Sequence, residues 1–445
     1  MKTQLRALSI PNPNLFNNPA DQSSVKGALK GCLGSLDGGC IEKLLLHCAS
    51  ALESNDVTFA QQVMWVLNNV ASSLGDPNQR LTSWFLRALI CRTARVSPTL
   101  TAMNFHATND VLRQCHMTTS QCRSMSVTEL ADYVDLIPWH RFGFCASNGA
   151  ICKATRGHSK LHILDLSITH GMQWPTLIDA LAKRPEGPPS LRITVPSARP
   201  PVPPLLNAST EQVCSRLANF AKSRDVPFEF HVMNIMNCSS PFMSFHLEFL
   251  LSLLNQPSLL DIRDDEALVI NCQNWLRYLP DEPLIEEDDI GVRDRFLEMI
   301  RSLNPRIVVV VDEDAELDSP SLASRITSCV NYLWIPFDAF ETFLAKDSAQ
   351  RVEYEADVGH KIENIIGYEG MQRIERLETG AKTTHRMKKA RFASFPFCDE
   401  TMREVKCSLD EHASGWGMKR EDEMLVLTWK GHNSVFATAW VPATC

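Results

Sequence analysis

The stretch LHILDLSITHGMQW, Leu161 to Trp174, brings together residue types that can do chemistry. His162 and His170 lie on either side of Asp165. A histidine beside a carboxylate can act as a general base and acid. The alternative is a strand histidine with satisfied hydrogen bonds. His162, inside an apolar run, is read that way.

An apolar run that ends at an acid and passes through a polar turn into a helix is also the layout of a nucleotide-binding loop. In a class I methyltransferase that loop reads acidic-x-Gly-x-Gly-x-Gly. The glycines permit positive φ and let the backbone approach the cofactor. Here the aligned positions are Asp165, Ser167, Thr169 and Gly171, so only one glycine remains. An acid ending the second strand would hold ribose hydroxyls, yet LRITVPSARP contains no carboxylate. With both requirements unmet, no cofactor is expected. A methyltransferase using S-adenosylmethionine on the same frame is the disfavoured alternative.

Other constellations are weaker. VVVDEDAELD sets Asp312, Glu313, Asp314 and Glu316 after an apolar strand. Carboxylates there could hold a metal or serve as an acid. A solvated acidic loop, or caps for helix N-termini, is the preferred reading. There is no GxSxG, Walker loop or HExxH. The segment AKTTHRMKKAR carries Lys382, Arg386, Lys388, Lys389 and Arg391. It is a candidate nucleic-acid or nuclear-import patch, with a solvated helix face as the plain alternative. Arg80, Arg87, Arg92 and Arg95 form a second candidate surface on one helix. LEFLL, with Leu247, Leu250 and Leu251, fits a co-regulator pattern but is apolar enough to be buried.

These residues need a frame. Apolar positions repeat with helical period from Ile41 to Arg95, including Ile41, Leu44, Leu45 and Cys48, then Phe59, Val63, Val66, Leu67, Val70 and Leu74. Ser126 and Glu129 form a capping-box pattern that opens a helix broken near Pro138. Strands are expected at 161–166, 191–195, 228–233, 267–272 and 306–312, with helices near 173–184, 211–224 and 292–303. That alternation means a parallel sheet covered on both faces. Two further strands, 424–429 and 435–440, make a terminal hairpin. The fold class is α/β: a Rossmann-like, class I methyltransferase-type core with a parallel sheet and a C-terminal antiparallel hairpin, plus an α-helical cap. The expected division is a disordered lead-in over 1–40, a helical cap over 41–125 and the α/β core over 126–445. SARPPVPPL is a stiff proline-rich connection.

Composition sets limits. The 445 residues carry a net charge of −8, so no bulk basic surface is available for nucleic acid. Fifteen cysteines, an odd number with no CxxC, indicate neither a disulfide framework nor a zinc ribbon. Cys48, Cys91 and Cys145 are read as buried apolar residues in a reducing compartment. No secretory signal is recognisable, and no apolar run is long enough to span a membrane.

The chain resembles the plant GRAS transcription regulators, and within them the scarecrow-like branch. LHILDLSITHGMQWPTLIDAL is similar to the VHIID motif, with His162, Asp165, Gly171, Gln173, Trp174 and Pro175 on its positions. The stretches 41–95 and about 205–285 match the two leucine-rich regions. Residues from about 303 to 376 resemble the PFYRE region through Pro305, Arg351, Glu353, Asn364, Glu369 and Gly370. Residues from about 377 to 443 resemble the SAW region through Trp416, Trp429 and Trp440, with Thr438 in place of its serine. IPWHRFGF and GWGMKRED point to the same branch. The resemblance implies a nuclear regulator of transcription that forms homo- or heterodimers. It implies other GRAS proteins or DNA-binding transcription factors as partners, with direct DNA contact open and no membrane role. The tryptophans and Asp165 are read mainly as structural, as is Asn364, a backbone-capping residue.

Overall fold

The computed structural model describes residues 38–96, 124–167, 170–197, 205–233, 250–254, 256–280, 290–412 and 414–444. The lead-in before residue 38, most of the proline-rich connection, and Leu247 lie outside the described residues.

Three amphipathic helices come first: α1 (Gly38–Glu53), α2 (Val57–Asn68) and α3 (Pro77–Val96). Asp56 caps α2 by accepting from the Phe59 amide at 3.0 Å. Ile41, Leu44, Leu45 and Cys48 of α1 are buried, as are Val63 and Leu67 of α2. Leu74 departs from its expected place: it lies beyond the end of α2 and is 76% exposed. Cys48 is buried and free, and Cys145 is free but only partly buried; Cys91 is buried as expected, but it and Cys40 are each disulfide-bonded rather than reduced.

Next come α4 (Val127–Leu136) and α5 (Trp139–Ala154), separated at Ile137 and Pro138. Ser126 and Glu129 make the complete capping box. The α/β run follows as β1 (Lys160–Asp165), α6 (Gln173–Ala182), β2 (Ser190–Pro196), α7 (Thr210–Ser223), β3 (Phe228–Met233), β4 (Ala267–Gln273), α8 (Val292–Ser302) and β5 (Ile307–Glu313). After it come α9 (Leu322–Phe343), α10 (Ala349–Gly367), α11 (Gly380–Lys389), β6 (Phe392–Ser394), α12 (Asp399–Asp410), β7 (Trp416–Glu421), β8 (Met424–Trp429) and β9 (His432–Pro442).

The main sheet runs β3-β2-β1-β4-β5-β9-β8-β7, with β6 paired to β9. The first five strands are parallel, and β9 returns antiparallel to β5. This is the Rossmann-like order expected from the sequence. The hairpin is longer than expected, because β7 adds a third antiparallel strand through register pairs such as Val426 with Lys419. Its sequence WGMKRE is too polar to read as a strand; only an edge position lets such a segment pair.

Alternation divides β5 between two cores. Ile307, Val309 and Val311 join one apolar cluster, while Val308 and Val310 join the other. Both faces of the sheet are therefore covered. The helical layer draws on two stretches of chain, because α9 packs on α1 and α10 packs on α3. Leu250 is fully buried, in line with a packing role for that part of LEFLL.

Candidate functional site

Strand order reverses between β1 and β4, since β2 and β3 lie to one side and β5 to the other. In open α/β sheets the crevice at such a switch point, beyond the carboxyl ends of the strands, is the usual ligand site. Asp165 ends β1 there, and Asn271 and Gln273 project from the end of β4. Gln173 and Trp174 open α6, and Asn148 comes from α5.

The crevice is filled by its own amides. Gln173 Oε1 accepts from Gln273 Nε2 at 2.9 Å and from Asn271 Nδ2 at 3.1 Å. Gln173 Nε2 donates to Asn148 Oδ1 at 3.1 Å and to Asn271 Oδ1 at 3.2 Å. The remaining cavity, lined by these residues with His140, Phe144, Ser167 and His170, is about 20 Å³. That is room for about one water, whereas cofactor pockets span roughly 300–1,000 Å³.

Asp165 is buried, and burial pushes its carboxyl above the usual range. Neutral donors hold it: Asn271 Nδ2 at 3.1 Å, the Ser167 amide at 3.3 Å and Trp174 Nε1 at 3.0 Å. The one retained loop glycine has a local reason. Gly171 sits at φ +69°, and a Cβ there would meet Val213 of α7 at 2.9 Å. Backbone and packing require it whether or not a ligand binds.

His162 points away from the crevice chemistry. Its Nε2 pairs with Thr194 Oγ1 at 2.8 Å and its Nδ1 with Arg192 Nη2 at 3.1 Å. Burial, then the Arg192 guanidinium, lowers its pKa to about 3, which keeps the ring neutral. His170 instead packs edge-on to His140, with centroids 5.1 Å apart, and against Phe144.

The acidic strand end corrects the expected solvated loop. Asp312 and Glu313 are buried, and Arg277 pairs with both. Lys361 of α10 binds Glu313 and reaches Glu375 at 3.5 Å. Burial alone would raise the Glu313 carboxyl, but Lys361 and Arg277 hold it at about 2. Asp314 does cap a helix start, accepting from the Gly380 amide at 2.9 Å. The described residues contain no group of three or more His, Cys, Asp or Glu placed to hold a metal.

The arginine stripe of α3 is mostly engaged by neighbouring helices: Arg80 is buried, Arg87 and Arg92 are partly buried, and only Arg95 is exposed. Arg80 binds Glu355 at 2.9 Å and Glu341 at 2.9 Å, and Arg87 pairs with Glu363. Arg92 donates to Ile366 O at 3.2 Å, and Arg95 donates to Gly367 O. The last carbonyls of α10 are thus satisfied from a neighbouring helix. Arg351 is buried and joins Glu341 at 2.9 Å. Asn364 Oδ1 accepts from the Ile374 and Glu375 amides at 3.0 and 3.1 Å. Glu369 pairs with Arg325 and Arg92. Gly370 takes φ +54°, Pro305 is buried before β5, and Glu353 is exposed on α10.

In the basic segment, Lys382 meets Asp318 at 2.5 Å and Arg386 meets Asp294 at 2.7 Å. Lys388 meets Glu423 and Lys389 meets Asp294, each at 2.6 Å. Arg391 is exposed. Trp174, Trp429 and Trp440 are fully buried, while Trp416 is partly buried against Trp429 at 4.7 Å. Pro175 is half-buried at the start of α6.

Asn148, Asn271, Gln273, Arg277 and Lys361 were not singled out from sequence. For Asn271 and Gln273 a signal existed: two amides at alternate positions near the end of the apolar strand ALVINCQ. Arg277 and Lys361 gave none, since nothing local in the sequence pairs either cation with the acids that end β5.

A family model described as the GRAS domain family matches residues 41–441. The chain belongs to the GRAS domain family. Among relatives, Scarecrow-like protein 32 of Arabidopsis thaliana is 46% identical over 97% of this chain and 98% of that protein. Scarecrow-like transcription factor PAT1 of the same plant is 30% identical, covering 89% of this chain and 75% of its own length. Protein SHORT-ROOT of Arabidopsis thaliana is also 30% identical, over 90% of this chain and 73% of that protein. The crystal structure of SCL7 from Oryza sativa superposes with a TM-score of 0.69 at 26% identity, over 90% of this chain and 99% of that one. This GRAS chain therefore keeps the Rossmann-like frame of its relatives. Among the described residues no helix is long and apolar enough to cross a membrane.

Proposed function

We propose that this GRAS protein is a nuclear regulator of transcription in plant development, acting through homo- or heterodimers and through DNA-binding partner factors rather than through catalysis. The carrying observation is the crevice. Where the fold would take a cofactor, the side chains of Gln173, Asn148, Asn271 and Gln273 hydrogen-bond one another. Asp165, the acid expected to approach a ligand, is taken up by Trp174 and Asn271. The name of the relative PAT1, a scarecrow-like transcription factor, supports a transcriptional role.

The charge distribution favours indirect promoter contact. Net charge is −8, and Lys382, Arg386, Lys388 and Lys389 each meet a carboxylate. Neutralised cations release few counterions from DNA. The same segment serves better for nuclear entry, through its exposed Lys388, Lys389 and Arg391.

Titration of purified protein against random-sequence duplexes over a salt series tests this function. Weak, unselective binding with a shallow salt slope is expected. Sequence-selective binding with a steep slope, weakened by Lys388→Ala and Lys389→Ala, would replace the indirect mode with direct readout.

A further inference from the structure

We propose that the crevice between β1 and β4 is a carboxamide-binding site whose ligand is supplied internally by Gln173. An amide group offers two N–H donors and two acceptor lone pairs. All four are used here. The oxygen receives Gln273 Nε2 and Asn271 Nδ2, and the nitrogen gives to Asn148 Oδ1 and Asn271 Oδ1.

The surrounding groups are oriented independently of Gln173's side chain. Asn148 Nδ2 donates to Thr176 Oγ1 at 2.9 Å and to the Gln173 carbonyl at 3.1 Å, which turns its Oδ1 toward the crevice. Asn271 Nδ2 donates to Asp165 Oδ1 at 3.1 Å, and a carboxylate can only accept; this fixes which end of Asn271 is the oxygen. Asp165 is therefore a positioning residue for Asn271, the group that reads both ends of the amide. Gln273 Nε2 is held toward Ser147 Oγ at 3.4 Å on its other side.

The chemistry of that cradle selects its ligand. Two donors face one end and two acceptors face the other. A carboxylate would turn an oxygen toward the Asn148 and Asn271 oxygens and lose. A ketone would leave both acceptors unmet in a buried site, which is costly. A neutral primary amide satisfies the two donors and two acceptors that face it. Polar capacity also remains beside it, since His140 Nδ1 and Gln273 Oε1 are buried without a hydrogen-bond partner among the described residues.

Truncation at Cβ removes the atoms of one acetamide. The test is thermal unfolding of the full chain carrying Gln173→Ala, alone and with acetamide, acetate or acetone. The expected result is a lowered Tm that rises saturably with acetamide in about the millimolar range, as suits so small a ligand. Acetate and acetone should do little, and the unmodified chain should not respond. If Gln173→Ala yields no folded protein alone, refolding yield with each additive gives the same comparison. Equal responses to all three additives, an equal response from the unmodified chain, or no acetamide effect on either Tm or yield would overturn the proposal.

Discussion

Trp174 Nε1 donates to Asp165 Oδ2 at 3.0 Å, joining the first residue pair of α6 to the end of β1 across the whole intervening loop. Both residues are buried, and the loop between them contains the positions where a cofactor-binding chain would carry glycines. The bond clasps the start of α6 to the end of β1.

Trp174→Phe should keep most of the ring volume and delete the donor. Asp165 is then left buried with one partner fewer. Hydrogen bonds to charged groups contribute about 1.5–3 kcal/mol, and a loss in that range is expected in urea unfolding. Asp165→Ala should destabilise as well, since Asn271 loses the acceptor that orients it. Unchanged unfolding in both variants would show that the clasp does not stabilise the core.

The pairing of α3 with α10 gives a second expectation. Arg80→Ala leaves Glu355 buried without its guanidinium, and breaking such a pair costs about 3–5 kcal/mol. The double change Arg80→Met, Glu355→Leu should recover much of that loss, because it leaves no uncompensated charge. Urea midpoints of the single and double variants decide the matter; a double variant as unstable as the single one would contradict it.

Acid sensitivity follows from two buried histidines. Burial lowers His140 to about 4, helped by Arg277 and Lys361 and opposed by Glu313. His162 is lowered to about 3. An unfolded histidine titrates near about 6.5. Depressed folded values mean that the stabilisation is present above about pH 6.5 and is lost as pH falls toward those values. Stability should drop between about pH 6.5 and 4, and His140→Phe should flatten that slope. Glu313 extends the loss below about pH 4.5, because its folded value is about 2. Unfolding free energy against pH checks the sign; a slope the same in His140→Phe would contradict the assignment.

Within the basic segment, stability and surface charge should separate. Arg386 is mostly buried, and bonds Glu378 at 2.9 Å as well as Asp294. Arg386→Ala should cost about 1–3 kcal/mol. Lys388→Ala, at a half-exposed ion pair, should stay within about 0.5 kcal/mol while reducing nuclear accumulation of a fluorescent fusion. Equal destabilisation by both changes would remove the distinction.

How much was legible in the sequence depends on the range of the signal. The apolar runs around Ile163, Ile193, Val269 and Val309 located the parallel strands, because a strand buried on both faces leaves a local hydrophobic record. The capping box at Ser126 and Glu129 is equally local. Helix α9 carries Pro336 in its interior, and α10 shows charged residues on nearly every turn, so neither announces itself as part of a packed layer. Charge on Arg80 and Arg87 suggested solvent, yet their partners Glu355 and Glu363 lie far along the chain. The filled crevice was half visible. Missing glycines showed that the loop had changed, but Gln173 reads as a filler only once Asn148, Asn271 and Gln273 are beside it.

The most direct test is equilibrium binding of labelled S-adenosylmethionine to the purified full chain. No saturable binding up to about millimolar ligand is expected, because Gln173 and its partners already fill a crevice left with about 20 Å³. Saturable binding that disappears on Asp165→Ala would contradict the account and return the frame to cofactor chemistry.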